Sequence, residues 1–226
     1  MAATTYLQLI NAVLRRLRKE TVASPDASDY VEMIGELINE AKVEVENATA
    51  WEALWTQTDI TTQSGTKTYT LTGYGDRARI QFIYDDTNNA DVHPAPHWWI
   101  ERQRQFTSDP TGVPRRYCLN GLSNGDPLLE LWPTPAGTYT IKVHSIVPQA
   151  ALSDAADTLS VPPMPVILGA YALAVSERGE DGGVGEGAAH QRAQRALSEA
   201  IAIDNLRRNR GQDTDWFVAQ SYSDGW

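Results

Sequence analysis

The sequence has only one cysteine, Cys118, among its 226 residues. A single thiol cannot form an intrachain disulfide or supply a thiolate metal site alone, so we expect Cys118 to be buried and inert. No stretch reaches the roughly 20 apolar residues that span a bilayer, and the N-terminus lacks the pattern of a signal peptide. We therefore expect a soluble, cytoplasmic protein that makes no contact with a membrane.

Positive charge is also scarce, because 19 Lys and Arg residues face 29 Asp and Glu residues and leave a formal net charge of -10. Proteins that bind nucleic acid generally use clustered cations that displace counterions from the phosphates. The acidic balance therefore argues against a general affinity for DNA. The chain is 42% apolar, which suffices for the core of one large domain or two small ones.

No motif of a familiar active site is present. The sequence has no Gly-x-Ser-x-Gly nucleophile elbow and no phosphate-loop Lys followed by Ser or Thr. Gly183–Ala188 matches a dinucleotide fingerprint, but it follows a predicted helix and has acidic neighbours, so we interpret it as a turn between helices. Metal-ligand spacing is absent among the four histidines, His93, His97, His144 and His190. We predict no catalytic, cofactor-binding or metal-binding residues.

Two acidic pairs, Asp85–Asp86 and Glu177–Glu180, have the residue types of a glycosidase, which needs only the right separation of two carboxylates in space. Asp and Glu lie mostly on protein surfaces, so we favour solvated charge over an acid and a nucleophile. The sequence therefore predicts that the protein is not an enzyme.

Helical periodicity marks both ends of the chain. Thr5 and Gln8 form a predicted capping box, which starts a first helix that ends near Lys19. A second apolar stripe begins at Tyr30 and runs for about six turns. Two further helices are predicted over Pro165–Ser176 and Glu186–Leu206.

Between these helices the apolar period changes from helical to alternating, which is typical of strands. Trp132–Gly137 contains two prolines that remove ladder donors, so we expect a turn that makes a hairpin with Thr138–Val147. His97–Phe106 is expected to form one short helix across the sheet. Turn signals separate predicted strands around Thr68–Thr72, Arg79–Tyr84, Arg116–Leu119, Leu128–Trp132 and Tyr139–Val143.

These patterns predict an α+β fold in which N- and C-terminal helices form one bundle around an inserted antiparallel β domain. We expect N-terminal helices of the bundle in residues 1–55, the β insert in 56–161, C-terminal helices in 162–206 and an extended C-terminal tail in 207–226.

Seven tryptophans are many for this length. Trp98 and Trp99, with Arg102 nearby, could stack on sugar rings, which is the hypothesis of a carbohydrate-binding module. The alternative, which we favour, is that Trp98, Trp216 and Trp226 serve contacts between subunits, where aromatic side chains are enriched.

Two basic clusters, Arg15–Lys19 and Arg207–Arg210, lie at predicted helix ends. Positive charge there complements the helix macrodipole. Because the chain is otherwise acidic, the same clusters could dock on acidic patches of a partner or of a neighbouring copy. Both interpretations stay open from the sequence.

With these segments in place, the chain resembles phage head-to-tail adaptor proteins, the group that includes tail tubular protein A of short-tailed phages. The resemblance covers roughly Thr5 to Leu206 and also rests on the order of helices, β insert, proline-bounded crossover and closing helices. The residues that carry it are Tyr6–Arg18, Leu37–Glu46, Gly169–Ala174 and Ser176–Gly182.

The resemblance implies a structural virion protein of the phage neck or tail, assembled in the host cytoplasm. Such adaptors form a ring, typically of twelve copies, between the portal protein and the tail nozzle or tube, and genomic DNA passes through the lumen. It also implies that the C-terminal tail binds the portal. On this basis the portal-binding residues are Arg207, Arg208, Arg210, Trp216, Phe217, Tyr222 and Trp226, and contacts between subunits or with the tail involve Arg15, Arg16, Trp98 and Trp99. A carbohydrate-binding or lytic tail component that uses the Trp-rich β segment is the alternative.

Overall fold

The computed structural model describes residues 4–107, 110–178 and 184–209. These residues form two compact units, one within Met1–Ala53 and Ala150–Trp226 and the other within Leu54–Gln149. The class is α+β, with five α-helices and a mostly antiparallel sheet among the described residues. Within the same residues, no helix has the length and apolar character that a membrane span requires.

Four helices belong to the unit built from the two ends of the chain, and one belongs to the central unit. The capping box predicted for the first helix is confirmed, because Thr5 Oγ1 accepts from the Gln8 amide at 3.3 Å and Gln8 Oε1 accepts from the Thr5 amide at 3.0 Å. That helix ends before Lys19, in a turn that holds Arg18 at a φ of 56°. The helices are α1 (Tyr6–Arg16), α2 (Asp29–Ala48), α3 (His97–Thr107), α4 (Pro163–Arg178) and α5 (Val184–Asn209).

Small residues allow the helices of the first unit to approach closely. Helix α4 contacts α1, α2 and α5. A Cβ added to Gly169 of α4 would lie 3.1 Å from the Cβ of Ala41 on α2, and a Cβ added to Gly35 of α2 would overlap the Tyr6 hydroxyl. Glycine at these two positions therefore sets how closely the helix surfaces can pack.

Polar groups of α2 hold the segment that returns to α4. The Asn39 side chain accepts from the Leu152 amide at 2.8 Å and donates to the Leu152 carbonyl at 3.0 Å. Lys42 Nζ lies 3.2 Å from Glu46 Oε1 and donates to the Ala150 carbonyl at 3.0 Å, and both side chains are buried. These bonds satisfy buried polar groups and fix the path of the chain before α4.

The central unit contains nine strands among its described residues. Seven form one sheet in the order β1-β9-β3-β4-β6-β7-β2, and two form a small pair, β5-β8. All neighbours in the large sheet are antiparallel except β4 and β6. The strands are β1 (Trp55–Thr61), β2 (Thr68–Thr70), β3 (Arg79–Asp85), β4 (Ala90–Pro94), β5 (Thr111–Gly112), β6 (Arg116–Ser123), β7 (Asp126–Trp132), β8 (Thr134–Pro135) and β9 (Thr140–Ile146).

The predicted hairpin between the strand ending at Trp132 and the following strand is wrong. Strand β7 pairs with β6 and β2, whereas β9 pairs with β1 and β3. The intervening residues, Thr134 and Pro135, pair with β5 instead and carry the chain away from β7. Turn chemistry predicts where a strand ends, but the partner of the next strand depends on which apolar faces can be buried together.

One face of the large sheet supplies the core of the central unit. The buried residues come from β3, β4, β6, β7 and β9 and from the segment after β2. They are Leu71, Tyr74, Ile83, Val92, Tyr117, Leu129, Leu131, Ile141 and Val143. Strands β1 and β4 were not among the strands predicted from the sequence, because β1 starts within the expected helix end and β4 is short and polar.

Candidate interaction surfaces

Helix α3 carries an exposed stripe of aromatic and cationic side chains. Trp98, Arg102 and Phe106 follow one another at intervals of four residues, so they lie on one face of the helix. Trp98 is 63% exposed and Phe106 is 71% exposed, and the Arg102 guanidinium carbon lies 5.5 Å from the centroid of the Phe106 ring. We call these three residues the α3 stripe. A stripe of this kind matches the composition of protein interfaces.

The opposite side of α3 is anchored to the central unit. Ile100 is fully buried, and the Trp99 ring packs edge-on against Trp132 with their centroids 5.1 Å apart. Consecutive tryptophans therefore have different roles, since Trp99 packs inward and Trp98 faces solvent. Packing of Trp99 keeps α3, and with it the α3 stripe, in a fixed orientation.

A buried carboxylate, Glu130 of β7, also holds α3. Arg104 of α3 forms an ion pair with Glu130 and another with Glu101 at 2.9 Å. Asn120 donates to Glu130 Oε2 at 2.8 Å, and Lys67 Nζ lies 4.0 Å from Oε1. The Glu130 carboxylate is thus paired and hydrogen-bonded, as a buried charge requires.

The same region brings together three possible metal ligands. Ligand atoms of His97, Glu101 and Glu130 all lie within 4.8 Å of one another. However, the Arg104 guanidinium already bridges the two carboxylates, and the Lys67 ammonium is close by. Two cations balance two carboxylates, so a divalent ion would add net positive charge at close range. The arrangement fits an ion-pair cluster that supports α3 better than it fits a metal centre.

Cys118 lies beside this cluster, with Sγ 3.8 Å from Glu130 Oε2. Burial, followed by the nearby Glu130 charge, raises the pKa of the Cys118 thiol to about 11. The thiol is therefore protonated near neutral pH and is a poor nucleophile. The prediction of a buried cysteine is confirmed.

A second aromatic surface lies on the sheet face opposite the core. The Phe82 and His144 rings stack with centroids 4.1 Å apart, and Trp55 lies 6.3 Å from each of them. Trp55 is 47% exposed and Phe82 is 44% exposed. Sequence reasoning missed this surface because the three residues come from separate strands and β3 has a register shift between Ile80 and Phe82.

The family model described as SU10 adaptor protein matches residues 4–217. The chain belongs to this family. SU10 adaptors are structural phage proteins that are not known as enzymes, and they act with other structural proteins of the phage particle. The phage adaptor expected from the resemblance is confirmed at this level, whereas the likeness to tail tubular protein A stays a prediction. No curated protein matches the chain.

The adaptor's predicted contact residues occupy different kinds of position. Arg15 and Arg16 are exposed in the last turn of α1, and Arg207 is exposed in the last turn of α5. Arg208 instead binds its own unit, with Nη2 3.1 Å from Asp204 Oδ2 and 3.4 Å from Thr49 Oγ1. Arg210, Trp216, Phe217, Tyr222 and Trp226 lie outside the described residues.

Proposed function

We propose that the chain is the head-to-tail adaptor of a bacteriophage, forming a ring of twelve copies between the portal and the tail nozzle or tube. The family match over residues 4–217 is the observation that carries this proposal. Genomic DNA would pass through the lumen without sequence-specific binding. A net charge of -10 suits such a conduit, because like charge keeps a polyanion from adhering to the wall.

The two compact units suggest a division of roles. The helices of the first unit would act as a bundle that forms the ring wall, since their close packing through Gly35 and Gly169 gives a stiff element. The central unit would contact the tail component through the α3 stripe, whose exposed aromatic and cationic side chains are those favoured at interface centres. The chain after α5 would contact the portal.

The first test is the mass of the purified adaptor, alone and mixed with portal protein, by sedimentation velocity. We expect a ring-sized species in the presence of portal. A protein that stays monomeric with portal at high concentration would refute the ring. An image of the intact particle would then establish whether the adaptor lies between portal and nozzle.

A truncated variant tests the portal contact, and the structure decides where to truncate. A deletion that starts at Arg207 would also remove Arg208, which binds Asp204 and Thr49 and so stabilises the helical unit. A chain that stops after Asn209 keeps this contact. We expect it to retain its circular dichroism spectrum and to lose portal binding. Unchanged portal binding would remove that role from the tail.

A carbohydrate-binding role is the second candidate. The observation that favours it is the pair of exposed side chains, Trp55 and Phe82, with the half-buried His144 ring stacked on Phe82. Aromatic rings on an open sheet face can stack on sugar rings. Titration with glycans, followed by Trp fluorescence, should give a saturable change that is lost in Trp55→Ala and kept in Trp98→Ala. No response at millimolar glycan would exclude this function.

A further inference from the structure

A small cavity opens where α1, α4 and α5 meet in the helical unit. Its volume is about 200 Å³, and it is lined by Arg16, Leu168, Tyr171, Ala189 and Arg192. Cofactors and drug-sized ligands occupy roughly 300–1,000 Å³, so this cavity has room for one or two side chains of a partner. We call it the two-arginine pocket.

Charge in this pocket is not balanced by the described part of the chain. Arg16 Nη1 donates to the Ala12 carbonyl at 3.3 Å. Among the residues whose side chains the structure describes, 4–106, 110–177 and 187–208, neither Arg16 nor Arg192 has an ion-pair partner. The two guanidinium groups place positive charge at one opening of a protein whose net charge is -10. They favour a ligand that carries carboxylates, which guanidinium groups bind through charge-assisted hydrogen bonds.

The lining residues other than the two arginines are mostly apolar, which restricts the kinds of ligand that fit the pocket. Leu168 and Ala189 are apolar, and the Tyr171 ring adds a partly buried aromatic surface. A phosphate backbone would use the arginines but would leave these residues uncovered. An apolar or aromatic side chain next to a carboxylate would use both, so the pocket fits an acidic peptide with an adjacent aromatic residue.

The chain itself contains such a segment. Residues 213–217 read Asp-Thr-Asp-Trp-Phe, which places two carboxylates directly before two aromatic side chains. The segment follows α5, whose last residue is Asn209. We propose that Asp213–Phe217 of one copy occupies the two-arginine pocket of a second copy, with its carboxylates on Arg16 and Arg192 and an aromatic side chain over Leu168.

Chain length favours a second copy over the same chain. Arg192 precedes Asn209 by 17 residues of helix, which corresponds to about 26 Å along α5. The Cα atom of Asp213 lies at most about 14 Å from that of Asn209, which is well short of the distance to Arg192. The Cα atom of Asp215 lies at most about 22 Å away, and only if the chain runs fully extended back along the helix. A neighbouring copy meets no such restriction.

The contact is heterologous, because a tail on one copy meets a pocket on the next. Repeated contacts of this kind close into a ring when the rotation between copies allows it. The inference therefore deepens the proposed adaptor ring and rests on it for closure. It assigns Trp216 and Phe217 to the contact between copies and leaves Tyr222 and Trp226 of the tail for the portal. The contact between tail and pocket can nevertheless be measured without portal.

Peptide binding is the direct test. A fluorescent peptide of residues 210–226 is titrated with the full-length adaptor, and its anisotropy is measured. We expect saturable binding that Arg16→Glu with Arg192→Glu weakens at least tenfold. The matched control is Lys19→Glu with Arg195→Glu, which also reverses two positive charges, one just after α1 and one on α5, but at residues that do not line the pocket. This control should change the affinity for the peptide less than about threefold. Equal weakening by both double variants, or by neither, overturns the proposal.

Charge exchange makes the test specific to this pair. A peptide with Asp213→Arg and Asp215→Arg should fail to bind the unchanged adaptor and should bind the Arg16→Glu, Arg192→Glu variant. If circular dichroism shows that the Arg16→Glu, Arg192→Glu variant does not fold, Arg16→Asp with Arg192→Asp takes its place, because it also presents two carboxylates to the exchanged peptide. Failure of the exchange to restore binding overturns the pairing, and tighter binding of a 20-base-pair DNA duplex than of the peptide assigns the pocket to phosphate instead.

Ring formation separates this inference from the adaptor function itself. If the Arg16→Glu, Arg192→Glu adaptor still forms rings on portal as readily as the unchanged chain, the role of the tail and pocket contact in forming the ring is refuted while the adaptor proposal stands. If the unchanged chain forms no ring but charge exchange still governs peptide binding, the pocket stands and the ring is refuted.

Discussion

Removal of the Glu130 carboxylate is expected to release α3 from the sheet. The Glu130 side chain is 1% exposed and forms an ion pair with Arg104, whose side chain is 9% exposed. Removing one partner of a buried ion pair costs about 3–5 kcal/mol, because the other charge stays buried. Glu101 also contacts Arg104, at 2.9 Å, and compensates in part. We therefore expect Glu130→Ala to cost about 3 kcal/mol, the lower end of that range.

Glu101→Ala is the matched control, because it removes a carboxylate from the same guanidinium. The Glu101 side chain is 43% exposed, and exposed ion pairs contribute about 0–1 kcal/mol. A double variant, Glu130→Leu with Arg104→Met, removes both buried charges and should recover most of the lost stability. Comparing the stabilities of the three variants distinguishes two costs: the cost of losing the ion pair itself and the cost of leaving the Arg104 charge buried without Glu130.

Amide hydrogen exchange reports on the central unit alone, which a whole-chain melting curve does not. The Leu131 amide donates to the Lys67 carbonyl at 2.8 Å and lies on the strand that carries Glu130. A loss of about 3 kcal/mol accelerates exchange roughly 150-fold, since each 1.4 kcal/mol is a factor of ten. Similar exchange rates in Glu130→Ala and Glu101→Ala would refute the role assigned to Glu130.

Three further predictions concern packing, buried charge and the thiol. Gly35→Ala should lower the midpoint of unfolding in urea, because the added methyl group overlaps the Tyr6 hydroxyl. Adding Tyr6→Phe removes that hydroxyl and should restore part of the lost stability. An unchanged midpoint in Gly35→Ala would contradict the close approach of Gly35 and Tyr6. Lys42→Met should cost about 3–5 kcal/mol in the same assay, whereas adding Glu46→Leu should recover most of it. Burial raises the pKa of the Cys118 thiol to about 11, so a disulfide reagent at pH 8 should react with it only after unfolding. The thiol of the unfolded chain ionises more readily, with a pKa of about 8.5. The contribution of Cys118 to the free energy of unfolding is therefore full below about pH 8.5 and is lost as pH rises toward 11. Rapid labelling of the folded chain would show that the thiol is accessible.

Most helix positions followed closely from the sequence, because helix formation depends on residues near one another in the chain. The turn predicted at Gly183–Ala188 is wrong from Val184 onward, since α5 already begins there. The capping box at Thr5 and Gln8, the stripe of α2 and the short helix α3 each carry a complete local signal. The sequence also predicted a contact role for the exposed Trp98, but it assigned the same role to the neighbouring Trp99. Only the contact of Trp99 with Trp132 shows that one tryptophan packs inward.

The candidate surfaces were less predictable, because they combine residues that are distant in sequence. No local pattern brings Glu130 of β7 to Arg104 of α3, or places Trp55 of β1 beside His144 of β9. Alternation along a strand predicts two faces but not which of them is covered, and the register shift in β3 changes the face on which Phe82 lies.

The acidic charge, most helix positions and the absence of familiar catalytic motifs can be read from the amino-acid sequence, since each depends on composition or on neighbouring residues. Only the folded chain places β9 between β1 and β3 and brings Arg16 of α1 to Arg192 of α5 at one pocket. Both outcomes depend on burying apolar faces from distant segments together, and the free energy of that burial is a property of the whole unit.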